Sequence, residues 1–193
     1  MSDDQQTPTM DVPRFDELGL SQPVLQALEE LGYEEPSPIQ AQAIPELLDG
    51  HDVVGQAQTG TGKTAAFGLP MLEYLDPDSE EVQAVVLTPT RELCIQVTQA
   101  LRAYAEHLDI NIVAVFGGAP IKSQQSQLRR GAHVVVATVG RMKDLMSRHS
   151  LVLTSARYVV LDEADEMLDL GFIEDVEKIL RMCPSGRQTL LFS

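Results

Sequence analysis

Basic residues are scarce in this chain: 14 lysines and arginines stand against 29 aspartates and glutamates, a formal net charge of −15 over 193 residues. That balance excludes a surface uniformly adhesive to nucleic acid. Cysteine is scarcer still. The two present, Cys94 and Cys183, have no spacing that gives a disulfide framework or a metal site, so both read as reduced structural thiols. His51, His107, His133 and His149 are scattered without ligand spacing, and no protein-only metal centre is expected. No apolar run approaches the length of a membrane span, and the opening "MSDDQQTPTMDVP" lacks both the basic and the apolar part of a signal peptide. A cytoplasmic protein with no membrane contact is therefore expected.

What is present is a 44% hydrophobic content, enough for one domain with a sizeable core. Residues 1–13 read as a flexible acidic tail and residues 14–193 as the folded domain, with order beginning near Phe15. Ser21 is placed to cap a helix with Val24, Leu25, Leu28 and Leu31 on its apolar side, and Gly32 ends it. In "PSPIQ", Ser37 stands at an N-cap, Pro38 at the first helical position and Gln40 where a capping box wants it.

Apolar runs then alternate with helical patterns. Buried strands are predicted over 52–55, 84–88, 110–115, 133–137, 158–161 and 189–192, separated by helices that include 91–107, 121–130 and 174–182. Continuous apolar runs suit a mostly parallel sheet covered on both faces. The fold class is α/β, a doubly wound sheet flanked by helices, whose ligands bind beyond the carboxyl ends of the strands. The last run, "QTLLFS", reads as a core strand interrupted at that edge, and a fragment of a longer protein is expected.

The first predicted strand runs into "AQTGTGKT", a loop with Gly60 and Gly62 followed by Lys63 and Thr64 at a helix start. Small residues there let backbone N–H groups converge on an anion, and the helix dipole adds to them. Lys63 would neutralise β and γ phosphates while the Thr64 hydroxyl ligates Mg2+. The general pattern wants glycine where this chain has Ala57, and an ordinary glycine-rich turn is the alternative. "RYVVLDEAD" supplies the complementary carboxylates at the tip of another strand: Asp162 to hold Mg2+, Glu163 to polarise water. Acids also favour helix starts for electrostatic reasons. A strand-borne phosphate loop together with a strand-borne aspartate points to nucleotide hydrolysis.

The pairing of "AQTGTGKT" with "DEAD" at Asp162 to Asp165 resembles the DEAD-box RNA helicases, which are built on RecA-like domains. "GYEEPSPIQ", with Phe15 upstream, is similar to the family's adenine-recognising Q motif. "PTREL" from Pro89 resembles motif Ia, Gly117 and Gly118 resemble the GG motif, and "TVGR" from Thr138 resembles motif Ib. The resemblance extends from Phe15 to Ser193. It implies an ATP- and Mg2+-dependent enzyme that unwinds RNA duplexes locally and without sequence preference. Adenine recognition would fall to Tyr33 and Gln40, with Phe15 and Pro38 supporting the pocket; the Gln40 amide is also the capping-box partner, and one side chain cannot serve both roles fully. Phosphate binding would fall to Thr59, Gly60, Thr61, Gly62, Lys63 and Thr64, with Asp162 joining Thr64 on the metal.

RNA contacts implied by the resemblance are Pro89, Thr90, Arg91, Gly118, Thr138, Gly140 and Arg141, donors and close-approach points that would grip the backbone and read no bases. Asp165 and Ser193 would couple the site to a second RecA-like domain absent from this chain. The charge pattern fits one part of this: between Gly117 and Arg148 stand Lys122, Arg129, Arg130, Arg141, Lys143 and Arg148 against Asp144 alone. Only Arg141 has a motif behind it, and for the others a solvated helix face is the plain reading. The family usually has proline at the position of Val139, so the turn holding Thr138 and Gly140 is expected to be less fixed in φ. A DNA-directed relative and a nucleotide-dependent binding module without turnover are the competing readings.

Overall fold

The computed structural model describes residues 12–58 and 60–193. Six strands are present among them: β1 (Val53–Gly55), β2 (Ala84–Thr88), β3 (Ile112–Val115), β4 (Val134–Thr138), β5 (Tyr158–Asp162) and β6 (Gln188–Phe192). They form one sheet in the order β1-β6-β5-β2-β4-β3, and every pairing is parallel. Helices α1 (Gln22–Glu30), α2 (Pro38–Leu48), α3 (Lys63–Glu73), α4 (Arg91–Tyr104), α5 (Ile121–Arg129), α6 (Val139–Ser147), α7 (Ala164–Asp169) and α8 (Ile173–Met182) surround it. A short 3-10 turn, Phe15–Glu17, precedes them.

The continuous apolar runs of the central strands serve two cores at once, because successive side chains leave opposite faces. Ala84 and Val86, Val134 and Val136, and Tyr158 and Val160 enter a core shared with Phe67, Leu101 and Phe192. Their neighbours Val85, Leu87, Val135, Ala137, Val159 and Leu161 enter the other, with Met142, Leu145 and Ile179. Each fully buried valine or leucine contributes roughly 1.5–3 kcal/mol of hydrophobic stabilisation. The covering helices are amphipathic or, for α3, buried from Ala65 through Leu72.

Four sequence expectations change. Ser21 sits at the N-cap of α1 but does not cap it; its N–H and Oγ both reach Glu73 Oε1, at 2.9 and 3.0 Å, tying α1 to the end of α3. Leu31 lies beyond the helix and is exposed, while Ala27 takes the buried place. The 110–115 strand begins at Ile112, because the Asn111 backbone N–H turns to His133 Nδ1 at 2.8 Å. The loosely held turn expected after Thr138 is helix α6, with Val139 as its first residue and only 1% exposed. No helix among the described residues is long and apolar enough to cross a membrane. Of the expected tail, residues 1–11 lie outside the described residues.

Candidate functional site

An all-parallel sheet brings six strand carboxyl ends to one edge, and nearly all the candidate residues follow them. Strand order then divides that edge. β1, β6 and β5 end in the phosphate loop, Ser193 and Asp162; β2, β4 and β3 end in "PTREL", "TVGR" and the glycine pair.

On the first half, the backbone from β1 to α3 turns through Gly60 (φ +82°) and Gly62 (φ +86°), and Lys63 opens α3 with Thr64 next. A Cβ on Gly62 would run into Gln40 Nε2 and lie 3.3 Å from Ser37 Oγ, and with φ at +86° the position where the loop crosses α2 favours glycine. Thr61 closes on Gln58 O through both its N–H and its hydroxyl, at 3.3 and 2.6 Å. Thr59, also a phosphate-loop candidate, lies outside the described residues. Ser193 braces the base of the loop: its N–H donates to Gly55 O at 3.0 Å and its carbonyl accepts from Ala57 N at 3.1 Å.

Asp162 is the last residue of β5 and is 3% exposed. Burial pushes its carboxyl up to about 6, against the pull of Lys63 and of the Glu163 N–H. Glu163 adopts a left-handed backbone (φ 53°, ψ 52°) at the start of α7, a strained conformation for a non-glycine residue. Its carboxyl is also raised, first by burial, then by a hydrogen bond with Glu166 and the charge of Asp162. Lys63, Glu163, Asp165, Glu166, Ala57, Gln58 and Ser193 line one open cleft of about 450 Å³. Thus the phosphate-loop lysine, Glu163 of the acidic pair and both coupling candidates share a cavity, with Asp162 buried next in sequence to Glu163. Glu166 is an addition that the motif reading missed; nothing in its spacing separates it from the other acids of α7.

A triphosphate fits this donor set. The glycine cradle, a lysine with no ion-pair partner among the described residues at the helix start, and a buried aspartate carboxylate are an anion site beside a cation site. Among the described residues no three His, Cys, Asp or Glu side chains group as a metal centre. Mg2+ carried on phosphates needs only one or two protein oxygens, and Thr64 and Asp162 are the candidates that could supply them.

Of the adenine candidates, Gln40 reaches the loop at Gly62. Phe15 is 6% exposed, and Tyr33 packs edge-on against it (centroids 6.1 Å apart) and against Tyr104 (6.0 Å), with a 2.9 Å bond between the two tyrosine hydroxyls. Pro38 opens α2 and is exposed. Gln40 is 3% exposed and engaged at both ends of its amide: Oε1 accepts from Ser37 N at 2.9 Å and Nε2 donates to Gly62 O at 3.2 Å. The glutamine half of the capping box is closed, while buried Ser37 Oγ has no hydrogen-bond partner among the described residues. Gln40 retains one lone pair and one N–H.

On the other half of the edge, Pro89 is buried and Thr90 caps α4, its Oγ1 accepting from Leu93 N at 3.2 Å. Arg91 is exposed and its guanidinium lies 4.9 Å from the Phe116 ring centroid. Gly118 (φ +79°) stands against Arg91 Nη1, which a Cβ there would meet at 3.2 Å. Thr138 ends β4, with Gly140 and Arg141 in the first turn of α6. Arg141 Nη1 donates to Ala119 O at 3.1 Å and Gln124 Oε1 at 2.9 Å.

The basic stretch does not act as one patch. Lys143 pairs with Asp175 at 2.5 Å and Arg148 with Asp144 at 2.7 Å. Arg129 and Arg130 end α5, at the opposite edge of the sheet from its start, about 13 Å away at 1.5 Å per residue. Lys122, in the first turn of α5 and exposed, is the other cation of the stretch on the Arg141 edge that has no ion pair among the described residues.

Residues 37–193 match the family model for the DEAD/DEAH box helicase. The chain is 53% identical over 180 residues to the "ATP-dependent RNA helicase DeaD" of Escherichia coli, spanning 93% of this chain and 29% of that protein. It is 52% identical over 179 residues to the "DEAD-box ATP-dependent RNA helicase CshA" of Bacillus cereus, spanning 93% and 34%. A crystal structure of a DEAD box protein from the hyperthermophile Methanococcus jannaschii superposes with a TM-score of 0.89 at 42% identity, over 93% of this chain and 49% of that one. The chain therefore spans about a third of the length of these curated relatives. Motif residues on matching strand ends and a family model covering most of the sequence agree: the chain belongs to the DEAD/DEAH box helicase family.

Proposed function

We propose that this chain is the nucleotide-binding half of an ATP-dependent RNA helicase, acting in the cytoplasm with a second RecA-like domain. The observation that carries the proposal is the single cleft shared by Lys63, Glu163, Asp165 and Ser193. Lys63 and the loop N–H groups would neutralise the β and γ phosphates of ATP, and Thr64 with Asp162 would hold Mg2+. The metal, when bound, supplies Lewis-acid stabilisation of charge on the phosphate oxygens. Glu163, whose raised carboxyl suits a general base near neutral pH, takes the proton of the attacking water as the γ phosphorus–oxygen bond breaks, leaving ADP and phosphate. Tyr33 and Gln40 would clamp adenine, Gln40 through its remaining lone pair and N–H. Its bond to Gly62 O ties base recognition to the phosphate loop.

RNA would lie over the other half of the edge, held through its sugar-phosphate backbone by Thr90, Arg91, Thr138 and Arg141. The names of the relatives favour RNA over DNA as the polymer. Titration calorimetry with Mg·ADP and, separately, Mg·GDP tests the nucleotide half. ADP is expected to bind and GDP not, with Lys63→Ala losing binding; equal binding of both would remove the adenine clamp, and binding of neither would remove the site.

A further inference from the structure

Gln124 is the one buried residue of α5, 4% exposed, on a helix whose only apolar side chains are Ile121 and Leu128. It lies one turn from Ile121 and another from Leu128, both of which pack against the second core, so an apolar side chain would suit the same place. An amide there requires partners. Gln124 Nε2 donates to Phe116 O at 3.0 Å, and Oε1 accepts from Arg141 Nη1 at 2.9 Å. Arg141 Nη1 also holds Ala119 O, so the Phe116–Ala119 turn with its two glycines is pinned at both ends.

We propose that Gln124 is a positioning residue for RNA: one buried amide sets Arg141 and the glycine turn as a single phosphate clamp. The guanidinium has five N–H donors. Two, on Nη1, are committed to Ala119 and Gln124; among the described residues Nε and Nη2 have no hydrogen-bond partner. That edge is the fork that matches a phosphate bidentately. The same turn carries the Phe116 ring beneath Arg91, so Gln124 sets the second arginine indirectly. Without it Arg141 regains rotamer freedom, and Phe116 O loses a donor.

The inference rests on the RNA reading above, and the experiment separates the two. Fluorescence anisotropy of a labelled oligouridylate, titrated with this chain from low to moderate salt, reads both affinity and the slope of log K against log salt. Gln124→Leu is expected to weaken binding about tenfold, the worth of one charge-assisted contact. Although it removes no charge, it should also lower the slope by about 0.7, one single-strand phosphate, as Arg141→Gln does. The double variant should bind no more weakly than Arg141→Gln alone. Mg·ADP affinity and the melting curve serve as folding controls, and Gln124→Met is the second variant should the leucine not fold. Wild-type affinity and slope in the Gln124 variants, beside a loss in Arg141→Gln, overturn the inference and leave the RNA reading standing; full additivity of the two substitutions also overturns it. No RNA binding by the wild-type chain, or wild-type behaviour of Arg141→Gln, overturns both.

Discussion

Gly62 and Asp162 each bear a local cost that the site requires. A side chain on Gly62 would have to accept φ +86° and displace the Gln40 amide. Gly62→Ala should therefore lower unfolding free energy by about 1–2 kcal/mol from the backbone alone, and Mg·ADP affinity should fall with it; urea titration and calorimetry on one preparation check both. Asp162 carries the opposite sort of tension. Its folded-state carboxyl, near 6 against an ordinary 3.8, binds its proton more tightly in the native protein than in the unfolded chain. Its contribution is most favourable below about pH 4 and is lost as pH rises through about 6. With Mg2+ chelated, Asp162→Asn should be more stable than wild type at pH 8 by on the order of 2 kcal/mol, and no more stable at pH 4. Denaturant titrations at the two pH values decide it; an unchanged difference would show that the carboxyl is not held protonated by burial. At this scale "AQTGTGKT" and "DEAD" were legible because their chemistry depends on residue types at fixed spacing. Gln124 was not, because a glutamine among the glutamines of "IKSQQSQL" carries no mark of which one faces the core.

Among the elements, α6 shows how a local departure is absorbed. Thr138 has φ −78° and ψ 147°, the extended geometry that a following proline demands, and Val139 occupies the first helical position, where proline loses no hydrogen bond. Val139→Pro should thus leave stability within about 1 kcal/mol of wild type, the small gain in chain entropy offsetting lost contacts in the core. A melting temperature within a few degrees of wild type is the expected result, and a large drop would show that the Val139 methyls are needed for packing. Helix α5 illustrates the other limit of reading elements locally. Its charges were visible as a basic run, but a helix that returns from the functional edge to the opposite one leaves Lys122 near Arg141 and carries Arg129 and Arg130 away. Ion pairing of Lys143 with Asp175 on α8 removed another member, across a separation of 32 residues.

For the whole molecule, sheet order places the candidate nucleotide residues and the candidate RNA residues on separate halves of one edge. β6 and β4 are three strand spacings apart, about 14 Å at roughly 4.8 Å each. In the proposed helicase, coupling hydrolysis to RNA remodelling over that distance would require a moving part, and the proposed partner is a second domain seated over Asp165 and Ser193. This chain alone should bind adenine nucleotide, hydrolyse ATP very slowly, and give no multiple-turnover unwinding of a short RNA duplex. An arginine supplied from such a domain would account for a factor of roughly 10³–10⁵ in rate. Steady unwinding by the purified 193 residues would refute that dependence. The sequence by itself determined the strands, the alternation with helices and the identity of both phosphate and acidic motifs, since each depends on neighbours within a few residues. Tertiary structure alone decided that Gln40 reaches Gly62, that Ser193 braces the phosphate loop, that Gln124 holds Arg141 and that the basic run divides. Each joins segments brought together by strand order, and strand order follows from burying two opposite apolar faces at once, a condition on the whole chain and on no single stretch of it.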